Sequence, residues 1–422
     1  MRILFISAFY PPYVIGGWEQ LVQDVNTRLQ ARGHTTHVLT STYGYGTKRR
    51  EPGVDRLLSL ESELAHYNPL DFFLGHKRRL KRNLAHVQET INAFKPTVIF
   101  VHVMWNLSRG IPWLAEQLRP GRVVYYIAND WPYTPNTHTN YWRDPAQRLT
   151  LKVPKRLLAP IPLKIIDRET KAFTLKFEQV LCVSHKVKEN LSRYAGIAPK
   201  QMRVIYNGVE TDRFVLSESR LRWNGKKLSL LYAGSLVKAK GVHTTIEAMA
   251  IAKTKLQHVT LTLVGSGHPD YEAHLKELVE KHNLEDRVHF YGRVSRDEMP
   301  ELMQKFDVLV FPSTGEALPR VVQEAMATGL VVVGTTAGGT GEILIEGETG
   351  LTFNPGDAMT LAKQIERLSG NPELYVRLVQ NARDMVIRKC DIRRMIDEIE
   401  TYLTQVGSAR ILTDDCIDST LK

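Results

Sequence analysis

Apolar residues along this 422-residue chain fall into short runs separated by longer stretches in which they recur every three or four positions. The runs are "RILFIS", "THVLT", "TVIFVHV", "RVVYYIA", "QVLCVS" and "RVIYN", and later "LSLLYAG", "VTLTLVG", "RVHFYG", "FDVLVF" and "LVVVGT". Each reads as a buried strand, and the segments between them read as amphipathic helices. Strands alternating with helices predict parallel sheets. The rhythm stops at Gly208–Lys227, "GVETDRFVLSESRLRWNGKK", which is polar and has no strand pattern, and then resumes. A single core seldom grows past roughly 250–300 residues, so the interruption marks a boundary between two domains, residues 1–207 and 208–388. The closing segments "DAMTLAKQIERLS", "PELYVRLVQNARDMVI" and "IRRMIDEIETYL" have helical spacing. A last helix is expected over 389–406 and a frayed polar tail over 407–422.

Composition changes this picture mainly through charge. Residues 1–210 carry 30 Lys and Arg against 16 Asp and Glu, and the remainder 26 against 29, a formal +14 and −3. The first half is therefore expected to meet phosphates or an anionic membrane face. Nucleic acid is not expected, because no binding module accompanies the charge. Cys182, Cys390 and Cys416 have no metal-ligand spacing and no disulfide framework, which suits a reducing compartment. The opening run is too short for a membrane span and lacks the flanks of a secretory signal, so a cytoplasmic location is expected.

Candidate chemistry gathers where strands end. Gly16 and Gly17 precede a helix whose Trp18, Leu21, Val22, Val25 and Leu29 share one face. Glycines let a ligand approach the backbone, and a helix N-terminus favours phosphate. The spacing is not the dinucleotide fingerprint. In "YAGSLVKAKGVHTTIEAM" Lys240 precedes a helix and could reach a diphosphate, while Gly265 follows the next strand. Gly292, Arg293 and Val294 could hold the edge of a base through backbone groups. In "GEALPRVVQEAMATG", Glu316 lies just past a strand, and Glu324 lies in a helix begun near Pro319 with Val321, Val322 and Ala325 inward. Arg320 and Glu324 also have the spacing of an ordinary surface ion pair. A carboxylate accepts hydrogen bonds from paired hydroxyls, so the diols of a ribose or a sugar are fitting partners.

Seven segments in order, "GGWE", "IYNGVETDRF", "GSLVKAKG", "LVGSGH", "VHFYGRV", Glu316-x7-Glu324 with "AMATG", and "AGGTGEIL", resemble the retaining glycosyltransferases of family 4. That resemblance implies an α/β GT-B fold, two doubly wound Rossmann-like domains with a central cleft. It implies that the N-terminal domain takes a glycan, lipid or lipid-linked acceptor and the C-terminal domain a nucleotide-sugar, with the last helix crossing back to the first domain. By the same resemblance Glu316 would hold donor-sugar hydroxyls, Glu324 the ribose, and Lys240 the diphosphate, helped by amides at Gly17 and near Val321. Neither a cofactor nor a metal is implied. Ser235 stands where many relatives carry arginine, leaving Arg320 or Lys238 as a second cation. Asn129 stands where relatives often carry histidine; it can bond a sugar hydroxyl but cannot take a proton near neutral pH. Leu318 and Pro319 replace a Phe-Gly pair, which removes one backbone donor. A nucleotide-sugar epimerase of similar build and a non-catalytic nucleotide-sugar-binding paralogue are the rival readings.

On the acceptor side, Gly75–Ile91 reads as a helix with Lys77, Arg78, Arg79, Lys81 and Arg82 in its first turns and Leu80, Leu84, Val87 and Ile91 inward. Cations there oppose the helix dipole, a local cost that anionic headgroups would offset. Residues 130–164 carry Trp131, Tyr133, Tyr141 and Trp142 with six prolines, and read as a long loop forming an acceptor-side flap. His102 is read as either a core histidine or a cleft residue.

Overall fold

The computed structural model describes residues 1–64, 67–145, 149–224, 227–255 and 257–409. Two α/β units emerge. The first comprises Met1–Cys182, Lys188–Val204 and the chain from Ile396 on; the second comprises Val183–Val187 and Ile205–Met395.

In the first unit the strands are β1 (Arg2–Ser7), β2 (Thr35–Ser41), β3 (Arg49–Glu51), β4 (Val54–Leu58), β5 (Val98–Val101), β6 (Val123–Ile127), β7 (Gln179–Cys182) and β8 (Met202–Val204). They form one sheet in the order β3-β4-β2-β1-β5-β6-β7-β8. All its pairings are parallel except β3 with β4. Helices cover both faces, so β1, β5 and β6 are buried almost throughout, which is why they read as continuous apolar runs. The edge pair β3 and β4 escaped the sequence reading because "RRE" and "VDRLL" carry charge where a central strand carries valine. His102 is 3% exposed and packs among Phe5, Phe100 and Tyr126, so it is a core residue. Burial pushes its pKa down to about 3.

Two expectations about this unit change. The basic helix runs over Pro69–Phe94, capped by Asn68 with Pro69 at its first position. Lys77 through Arg82 therefore lie two or more turns inside it, beyond the reach of the dipole, and carry no cost from the helix terminus. Arg79 also leaves the basic face: its guanidinium reaches both carboxylate oxygens of Asp71 at 2.6 Å and the carbonyl of Glu61 at 2.9 Å. Lys77, Arg78, Lys81 and Arg82 remain exposed.

The stretch over 130–164 is not a long loop. Its described part is largely helical, over Thr137–Arg143, Leu149–Leu158 and Pro160–Ala172, with 146–148 outside the described residues. The prolines misled because Pro160 and Pro162 sit in a first turn, where a missing amide hydrogen costs nothing. Trp142, Ala159 and Ile166 pack on Phe72 of the basic helix as a small separate core.

The last helix runs over Ile392–Ser408. From Ile396 on it belongs to the first unit: Asp397 and Glu400 bind Arg32, and the Tyr402 hydroxyl donates to Gln179. Among the described residues no helix is long and apolar enough to cross a membrane.

The second unit holds β9 (Leu228–Ala233), β10 (Val259–Val264), β11 (Val288–Gly292), β12 (Val308–Phe311), β13 (Val331–Gly334) and β14 (Leu351–Thr352). Their order is β11-β10-β9-β12-β13-β14, with every pairing parallel. From β9 the chain builds outward to β11, then returns to β12 and builds the other way. The switch between β9 and β12 opens a crevice at the strand C-termini, where ligands of such sheets bind.

Candidate functional site

Four loops at the C-terminal rim of the second sheet are stitched together by backbone contacts. Past β9, Leu236 makes a bridge with Gly267 past β10, and the Gly265 amide donates to the carbonyl of Gly292, the last residue of β11, at 2.7 Å. Past β12, Thr314 donates through its amide and its hydroxyl to the Ala239 carbonyl. Glu316 makes a bridge with Gly338 past β13, and its carbonyl accepts the Gly339 amide at 2.7 Å. Gly338 has φ +79°, and a Cβ there would stand 2.0 Å from the Glu316 carbonyl oxygen. Gly241 is similar, with φ +66° and a Cβ position 2.2 Å from the Pro312 carbonyl oxygen. Backbone cannot yield at such distances, so "AKG" and "AGG" are glycine positions for a steric reason.

These loops bring Lys240 and Glu316 together as an ion pair, although 76 positions separate them in sequence. Lys240 ends a short 3-10 turn, Lys238–Lys240, and is about one-third exposed; Glu316 is somewhat less so. Burial draws the lysine pKa below its ordinary value, and the adjacent carboxylate works the other way. The sequence assigned these side chains separate partners; in the structure each also has the other.

Past Glu316 the helix runs over Arg320–Thr328, one position later than a start at Pro319, which is instead its extended N-cap. Val322 and Ala325 are buried as expected, while Val321 is half-buried on the flank that also carries Arg320 and Glu324. Arg320 and Glu324 stand 4.0 Å apart with side chains only 10% and 12% exposed, so this is no solvated surface pair. The buried inward position is Gln323, whose amide donates to the Asn207 carbonyl at 3.0 Å. Leu318 is 2% exposed and its carbonyl accepts from Asn207, so its side chain is unavailable to a ligand.

The other expected donor residues lie along the same rim. Ser235 is exposed past β9, with its carbonyl taken by the Tyr232 hydroxyl. Gly265 follows β10, and exposed Arg293 and half-buried Val294 follow β11. In the first unit, Gly17 opens the helix Gly17–Ala31 after β1, and Gly16 is its N-cap. The Gly16 amide donates to Glu19 at 2.9 Å, so it is not open to a phosphate as the sequence suggested. Burial pushes the Glu19 carboxyl above its usual range, and backbone amides including that of Gly16 pull it back. Asn129 is half-buried just past β6. Among the described residues, no three His, Cys, Asp or Glu side chains gather as a metal site.

Sequence reasoning missed three positioning residues. Asn207 and Gln323 join the start of the second unit to its ligand-side helix. Glu342 accepts the amides of His185 and Lys186 and the hydroxyl of Tyr206, all at 2.8–2.9 Å. Asn207 and Glu342 lay inside quoted motifs, "IYNG" and "GGTGEIL", but nothing local says what a carboxylate or an amide will meet across the fold.

Two parallel-sheet units with this switch-point crevice define the class of GT-B glycosyltransferases. The Glycosyltransferase Family 4 profile matches residues 15–213 and the Glycosyl transferases group 1 profile matches residues 216–385. The chain belongs to the family 4 glycosyltransferases. It is 25% identical over 410 residues to a glycogen synthase of Mycobacterium tuberculosis, covering 93% of this chain and 91% of that one. Its fold resembles the sucrose-phosphate synthase of Thermosynechococcus elongatus, with TM-score 0.71, 22% identity and coverage of 97% and 100% of the two chains. It also resembles Anabaena HepE in complex with UDP-glucose, with TM-score 0.67, 21% identity and coverage of 96% and 100%.

Proposed function

We propose that the chain is a retaining hexosyltransferase that moves a sugar from a nucleoside-diphosphate donor to a glycan, lipid or lipid-linked acceptor in cell-envelope or exopolysaccharide synthesis. The observation that carries this reading is the Lys240–Glu316 pair at the switch point of the second sheet. Two strands, β10 and β9, lie between β11 and β12, so three inter-strand spacings, about 14 Å, separate the base-side loop after β11 from the loop after β12. That suits an extended nucleotide-sugar. Gly292 to Val294 would meet the base, Glu324 the ribose diol, and Glu316 the sugar hydroxyls. Gly265, Ser235, Lys240, Arg320 and the amide of Val321 would surround the diphosphate.

As the C1–oxygen bond to the diphosphate breaks, negative charge grows on the leaving group. A fixed ammonium stabilises that charge more than it stabilises the ground state. The acceptor oxygen bonds C1 from the same face, and its proton passes to the departing phosphate oxygen. The chain's part is to hold these groups, with Asn129 bonding a sugar hydroxyl. No metal or cofactor is required for this scheme.

The first unit would take the acceptor at the inner face of the cytoplasmic membrane, without nucleic acid. Exposed Leu70, Phe73 and Leu74 are followed along one helix by exposed Lys77, Arg78, Lys81 and Arg82, an apolar end beside a basic stretch that suits an interfacial anchor. Incubation with labelled nucleotide-sugars tests the whole reading. Transfer, or slow donor hydrolysis, is expected; interconversion of sugars would indicate an epimerase, and binding without turnover a non-catalytic paralogue.

A further inference from the structure

The first unit contains a cavity of about 400 Å³ unconnected with any motif that assigned the family. Trp105, Trp131, Tyr133, Asn136, Arg109 and Glu61 are among its lining residues. Its walls come from the segment past β5 and from the helical stretch of 130–172, with Glu61 entering from the segment past β4.

Glu61 is the unusual member. Its backbone is held at both ends: the amide donates to the Asn106 carbonyl at 2.9 Å and the carbonyl accepts from Arg79. Asn106 is itself left-handed, with φ +60°, and its side chain bonds Ser62 through both of its polar atoms. This clamp fixes a carboxyl that is 8% exposed and whose one hydrogen-bond donor among the described residues is the Asn136 amide, at a long 3.5 Å. Burial pushes its pKa up to about 7, against the pull of His76, Arg79 and Arg109. A buried carboxyl so poorly satisfied costs stability unless a ligand supplies donors.

The lining decides which ligand. Arg109 gives a guanidinium N–H to the Pro132 carbonyl and lies over the Trp131 ring. Arg109 and Arg143 are matched by Glu61 and Asp167, so the lining has no net charge to hold an anion, and four charged groups make a poor wall for an acyl chain. A neutral sugar ring fits both halves: its C–H face lies on an aromatic ring, and its hydroxyls donate to the Glu61 carboxylate and accept from the Asn136 side-chain N–H, the Asn136 oxygen being taken by Thr139. We propose that this cavity is a saccharide subsite that takes a neutral pyranose of the acceptor, stacked on Trp105 and hydrogen-bonded to Glu61 and Asn136. This rests on the reading that the first unit receives the acceptor.

Saturation-transfer NMR on the full chain, with methyl glycosides of glucose, galactose and mannose as probes, tests it. Transfer to the ring protons of at least one glycoside is expected. It should fall at least about 10-fold in W105A and E61Q, and in T134W, which fills the cavity from a half-buried position and guards against misfolding of the other two. UDP binding followed by thermal shift should be unchanged in all three. Silence of every glycoside with the wild type, or equal signal in all variants, overturns the subsite. If glycosides bind and no nucleoside diphosphate does, the subsite stands and the transferase scheme falls; diphosphate binding without glycoside contact gives the reverse.

Discussion

Lys240 and Glu316 are each other's partner in the crevice, which sharpens what their removal should do. Truncating either one removes a transition-state contact and leaves the other half-buried without its counter-charge. We expect K240A and E316A each to lower turnover at least about 100-fold, roughly 2.7 kcal/mol of barrier. Steady-state transfer of labelled sugar measures this, and near-normal rates in both would remove the site. Gly338 bears on the same carboxylate through the backbone. G338A forces a Cβ against the Glu316 carbonyl oxygen at a left-handed position, so a loss of about 2 kcal/mol or more is expected in denaturant titration. An unchanged midpoint would mean that the β12 and β13 loops are not pressed together.

At the level of elements, the helix Pro69–Phe94 separates two kinds of arginine. Arg79 is structural: Gly75 leaves room for its guanidinium, since a Cβ there would come within 2.5 Å of it. R79A should cost about 1–2 kcal/mol of stability, read as a lower thermal midpoint, with little effect on vesicle binding. Neutralising Lys77, Arg78, Lys81 and Arg82 together should do the opposite. Each exposed cation contributes about 1 kcal/mol at an anionic surface, so co-sedimentation with phosphatidylglycerol vesicles should fall at least about 10-fold while donor hydrolysis persists. Undiminished sedimentation of that variant would remove membrane attachment from the proposal.

The junction between the last two helices makes a separate statement about pH. Asp391 accepts from Arg393 and from the Thr211 hydroxyl, and although burial acts the other way, these bonds hold its pKa down to about 2. A depressed carboxylate stabilises the fold above its unfolded pKa, and that contribution is lost as pH falls toward the folded value. D391N should therefore be less stable than wild type by about 1 kcal/mol near neutrality, given how exposed Arg393 is. The difference should shrink between roughly pH 4 and pH 2. A constant gap across that window would assign the effect to packing instead.

For the molecule as a whole, the second sheet carries the donor reading, and ligand-linked stability tests it without knowledge of the acceptor. A ligand at 100 times its Kd raises the stability of the native state by about 2.7 kcal/mol. A thermal-shift panel of UDP, GDP, ADP and TDP should single out one base, and E324A should weaken the shift for that nucleotide. No shift with any of them would leave the crevice without its proposed occupant.

The sequence by itself determined which segments become buried strands, that they belong to two parallel sheets, and which loops at their ends carry glycine, lysine and glutamate. Those properties are local: a strand covered on both faces must be apolar throughout, and a strand-to-helix turn must spare its backbone. The short charged edge strands and the helices of 130–172 were not legible, because edge positions need no apolar run and first-turn prolines look like loop signals. Only the tertiary structure decided that Lys240 meets Glu316, that Glu19 occupies the Gly16 amide, and that Arg79 clamps Glu61. Such pairings depend on where two distant backbones come to rest, and no periodicity encodes that.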